Sequence, residues 1–74
     1  MIYDHNLAEF LNQLQHLMLD DNTKQIDIVK ASGLTQATVS NIFNMRRDNV
    51  TLDTLQTIVN AAGYDIDIQL IKRN

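Results

Sequence analysis

The chain is predicted to fold as a small, mostly α domain: four helices followed by one short strand. Three observations carry that expectation. Apolar residues recur at three- and four-residue spacing through most of residues 7–62. Glycine occurs only twice, at Gly33 and Gly63, each where such a run stops, and proline is absent. After Gly63 the period changes to two, with Tyr64, Ile66, Ile68 and Leu70 on one side.

The first helix is expected over residues 7–19. Leu7, Phe10, Leu11, Leu14, Leu17 and Met18 fall on one face. Asn6, with Glu9 three residues on, reads as a capping box. Asp20-Asp21-Asn22-Thr23 breaks the pattern, and Thr23 is the expected cap of a second helix over 24–32. Gly33 ends that helix, Leu34 sits in the hinge, and Thr35 caps a third helix over 36–44, with Val39, Ile42 and Phe43 on its apolar face. Residues 45–50 form a loop. Thr51 caps a fourth helix over 52–62, in which Leu52, Leu55, Ile58, Val59 and Ala62 share a face.

The final segment, 64–71, alternates Tyr64, Ile66, Ile68 and Leu70 with Asp65, Asp67, Gln69 and Ile71. One strand cannot satisfy its own backbone groups, and no second strand is visible in the chain. It is expected to pair with the same strand of another subunit or with a partner's sheet edge. The plainer alternative is an irregular, packed tail.

Seventy-four residues make a single domain, 1–74. A domain of this size buries about 60% of the surface its unfolded chain exposes, so its stability is marginal. With no cysteine, disulfides and thiolate metal sites are excluded, which leaves helix packing or oligomerisation to supply stability. The same absence fits a reducing compartment. No apolar run approaches the roughly 20 residues of a membrane span. Met1 to His5 does not read as a signal peptide, so a cytoplasmic protein of a bacterial host cell is expected.

Charge is unevenly placed. The net charge is −3, but residues 24–47 carry Lys24, Lys30, Arg46 and Arg47 against Asp27 alone. The segments on either side are both acidic. The positive stretch coincides with the second and third helices, whose short hinge is that of a helix-turn-helix, a motif that places its second helix in the DNA major groove. His5 and His16 without further ligands do not make a metal site. No nucleophilic triad, phosphate loop or glycine-rich motif is present, so neither an enzyme nor a cofactor is expected.

Gln25 at the start of the second helix, Gly33 at the turn, Thr35-Gln36, Ser40-Asn41-Ile42, Val50-Thr-Leu-Asp-Thr-Leu55 and Ala61-Ala-Gly-Tyr64 together resemble the lambda-repressor-like (Xre/Cro-type) helix-turn-helix family of small phage and bacterial regulators. The strand after the fourth helix is similar to that of the family's short antitoxin-like branch. Two positions depart from the family pattern. Phe43 stands where a glutamate is usual and Met45 where a glycine is usual. Val29 also replaces a usual alanine where the motif helices meet.

The resemblance implies a dimeric transcription regulator on a two-fold DNA operator. Gln36, Ala37, Thr38 and Asn41 would face base edges, Gln36 through a bidentate pair with adenine and Ala37 or the Thr38 methyl against a thymine methyl. Lys24, Gln25, Thr35, Asn44, Arg46 and Arg47 would contact phosphates, joined by the amides at the start of the second helix. The plain alternative is that Gln36, Thr38 and Asn41 are ordinary polar surface. Phe43 has two readings, as core beside Val39 and Ile42, or with Met45 as an apolar patch for another protein. The second belongs to a rival function. An acidic chain with such a patch could cover the DNA-binding face of a basic phage repressor, as an antirepressor in a lysogeny–lysis switch, or bind a toxin as its antitoxin.

Overall fold

The computed structural model describes residues 2–3, 6–46 and 50–68. The order is β1 (Ile2–Tyr3), α1 (Leu7–Asp20), α2 (Gln25–Ser32), α3 (Gln36–Phe43), α4 (Leu52–Ala61) and β2 (Asp67–Ile68). Among the described residues no helix is long and apolar enough to cross a membrane.

The apolar stripes meet in one core. Phe10, Leu11, Leu14 and Met18 come from α1, Ile28 from α2, Val39, Ile42 and Phe43 from α3, and Leu55, Ile58 and Val59 from α4. Each such side chain contributes about 1.5–3 kcal/mol when fully buried. α2 packs against both α3 and α4. Val29 and Leu34 are half-buried against the same core, so the larger residue at position 29 is accommodated. Leu52, expected on the apolar face of α4, is instead 46% exposed. It is the first helical residue, ahead of the turn that faces the core.

Local capping fixes the starts. The Asn6 side chain accepts from the Glu9 amide at 3.1 Å. Thr35 Oγ1 accepts from the Thr38 amide and Thr51 Oγ1 from the Thr54 amide, both at 3.2 Å. For α2 the expectation of a Thr23 cap is corrected. The cap residue is Lys24, whose amide donates to the Asp27 carboxylate at 2.8 Å. A lysine side chain has no acceptor, so the bond runs in this direction only. Thr23 belongs to the preceding turn, where its amide donates to the Met18 carbonyl at 2.7 Å.

Three helices end in one pattern. The residue after the cap is left-handed and donates to the carbonyl three back, and the next amide reaches the carbonyl five back. After α1 these residues are Asn22 (φ 57°) and Thr23. After α3 they are Met45 (φ 58°) and Arg46. After α4 they are Gly63 (φ 93°) and Tyr64. Glycine holds this conformation without strain and asparagine tolerates it, whereas a methionine there costs about 1 kcal/mol.

The C-terminal expectation is corrected in one respect. A second strand exists within the chain: β1 pairs with β2 in parallel, Ile2 opposite Asp67 and Tyr3 opposite Ile68. Two residues are too few to show period-two alternation, which is why the partner is invisible in the sequence. Tyr64 and Ile66 precede the strand and pack half-buried on the core. Leu70 lies outside the described residues. The Tyr3 ring meets Phe10 edge-on, with centroids 5.2 Å apart, and so fastens β1 to α1.

Tyr64 makes a second long-range tie, its hydroxyl donating to the Asp21 carboxylate. That bond, with lesser contributions from desolvation and from the charges of Asp21 and Asp20, raises the Tyr64 pKa above its ordinary value. A raised folded-state pKa means the contribution is fully present below the unfolded value of about 10 and is lost as pH rises through the folded value. Tyr64→Phe is therefore expected to flatten the loss of stability above pH 10, measured by urea unfolding across an alkaline series. An unchanged alkaline slope would show that the bond contributes nothing.

Candidate nucleic-acid interface

The site is built by the hinge between α2 and α3. Gly33 is left-handed (φ 76°) and donates to the Val29 carbonyl at 3.2 Å. A Cβ there would meet nothing within 4 Å, so backbone conformation and not space selects glycine. The Leu34 amide donates to Ser32 Oγ at 3.2 Å, and the Leu34 side chain turns onto the core. Thr35 then starts α3 in a new direction.

Burial of Val39, Ile42 and Phe43 decides which way the rest of α3 faces. With 3.6 residues per turn, Ala37, Asn41 and Asn44 fall opposite the buried side, Thr38 lies at the edge of that side, and Gln36 shares the phase of Phe43 but opens the helix. Gln36, Ala37 and Asn44 are exposed, whereas Thr38 and Asn41 are half-buried. The Thr38 hydroxyl is already paired with Thr35 Oγ1 at 2.8 Å. A contact through the Thr38 methyl group does not compete with that bond. Asn44 caps the helix end and its side-chain Nδ2 donates to Ser40 Oγ at 3.2 Å. Ser40 was not singled out for this face by the sequence reading. Its position four residues before Asn44 is the signal that could have found it.

Phe43 is 6% exposed and belongs to the core. This corrects the reading that pairs it with Met45 as a patch for another protein. It sits one turn beyond Val39, on the same side of the helix, and is drawn inward with it. Met45, by contrast, is 43% exposed.

The other candidate phosphate contacts lie at the start of α2 and just after α3. Lys24 and Gln25 are exposed at the start of α2, and Arg46 is exposed after α3. Arg47 lies outside the described residues. The α2 start also carries the Asp27 carboxylate, which takes the Lys24 amide for itself. An anion approaching this end meets a resident negative charge. The fourth helix repeats the device of the third: Thr51 and Thr54 pair at 3.0 Å just as Thr35 and Thr38 do. Among the described residues no group of three metal-ligating side chains occurs.

The family model for the Cro/C1-type helix-turn-helix DNA-binding domain matches residues 13–67. That span holds the greater part of α1, both motif helices, α4 and the start of β2. No curated protein and no solved structure matches significantly.

Proposed function

Because this chain belongs to the Cro/C1-type helix-turn-helix DNA-binding family, we propose that it is a phage- or bacterial-type transcription regulator that reads operator DNA with α3. The observation that carries the reading is the division of α3 into two faces. Val39, Ile42 and Phe43 are buried, Ala37 and Asn41 lie on the side away from them, and Gln36 is exposed at the start of the helix. Gln36 and Asn41 supply amides for base edges, and Ala37 and the Thr38 methyl supply apolar contact for thymine. Lys24, Gln25, Thr35, Asn44, Arg46 and Arg47 hold the phosphates. The chain acts as a homodimer, with half-sites about one helical turn apart.

The overall charge of −3 and the Asp27 carboxylate at the α2 start favour a second reading. In it the domain acts through another protein, as an antirepressor on a repressor or as the antitoxin of a toxin. Selection from a random duplex pool at low salt separates the two. Enrichment of a two-fold sequence bound by two chains supports the operator reading. Absence of binding to any duplex, with a complex formed on mixing with a co-encoded repressor or toxin, overturns it.

A further inference from the structure

Met45 is the anomaly of this molecule. Of the three helix ends with the same hydrogen-bond pattern, Gly63 and Asn22 hold the left-handed residue of the other two, and both suit it. Met45 does not, yet it keeps φ at 58° and leaves its side chain 43% exposed. With Phe43 buried, the exposed residues on either side of Met45 in the chain are the polar Asn44 and Arg46. A single apolar side chain is far smaller than the several hundred Å² that mark a protein-docking patch. An arginine, an amide and one apolar group together match a different surface, the sugar-phosphate backbone of DNA. There the charged oxygens suit the arginine and the C–H rim of the sugar suits the thioether.

Length agrees with this placement. α3 has eight residues, so at 1.5 Å each its far end lies about 12 Å along the axis from its first turn. With its first turn at the base edges, that far end lies away from the bases. We propose that Met45 makes van der Waals contact with a backbone deoxyribose beside the phosphate held by Arg46, and that the left-handed backbone aims it there. The inference rests on α3 being the reading helix.

Deoxyribose is present at every step, so the contact is independent of sequence. The test compares Met45→Gly, Met45→Ala and Met45→Leu on two duplexes of equal length, one selected from a random pool and one unrelated, with melting temperatures measured alongside. Met45→Gly and Met45→Ala are expected to weaken both duplexes by roughly three- to tenfold, the loss of part of one apolar side chain's burial. Met45→Leu keeps the affinity. Met45→Gly melts higher than Met45→Ala, because only glycine relieves the backbone, so a fall in affinity shared by both is not a folding defect. Unchanged affinity in Met45→Gly overturns the proposal, and so does a loss confined to the selected duplex, which would mean a base contact. A parent chain that binds neither duplex overturns the docking of α3 itself. A parent whose preference is lost in Gln36→Ala, but whose affinity is untouched in Met45→Gly, overturns only the role of Met45.

Discussion

Ile28→Ala is expected to remove about 2–5 kcal/mol of stability, through the lost transfer of the side chain plus the cavity left behind. A 74-residue domain has only about 4–11 kcal/mol in total at the usual per-residue stability. Ile28 is the buried residue of α2, a helix that packs against both α3 and α4. Val29 is only half-buried, and Ile26 is 42% exposed. Little else anchors α2, so the truncation also loosens the hinge that orients α3. The expected result is a large drop in the urea midpoint together with loss of DNA binding. A loss under about 1 kcal/mol would mean that α2 is held by its flanks and not by this contact.

Gln36→Ala is expected to erase base preference at one position of each half-site while leaving binding to unrelated DNA nearly intact. A bidentate amide–base pair is worth about 1–3 kcal/mol of discrimination, roughly five- to 150-fold. Gln36 is exposed and opens α3, so alanine there removes no core contact and no cap. Alanine is also the better helix former. Any loss therefore belongs to recognition. Arg46→Ala serves as the contrast, weakening all duplexes alike and lowering the salt slope by about one. Competition between selected and base-substituted duplexes distinguishes them. If Gln36→Ala retains the parent's preference, α3 does not read DNA through that residue.

Most of the helical frame was readable because its causes are local. Thr35 and Thr51 cap helices through bonds to residues three positions on, and Gly33 and Gly63 stop them through backbone freedom alone. The apolar stripes likewise announce their own faces. Trouble began where a local signal was shared by two residues. Thr23 looked like a cap by type, but Asp27 let Lys24 take that place. Phe43 and Met45 both depart from a family pattern, yet they differ in placement. Only the helix phase sends one inward, while the other falls just past the helix end. Contacts between distant residues left no trace at all. Tyr64 with Asp21, and Ile2–Tyr3 with Asp67–Ile68, are pairings that neither composition nor spacing encodes. For the interface, residue types were readable, but which of them stand clear of the surface depended on how deeply α3 is set.

The pairing of β1 with β2 has a kinetic meaning. It bridges nearly the whole length of the described chain, so forming it from an extended chain means closing a very long loop for a two-residue return. Helices whose contacts are mostly nearby have no such barrier. The ladder is thus a late event in folding, assembled once α1 and α4 have brought its halves together. On the way out it is the first seam to part, so the domain opens from its ends before α3 is disturbed.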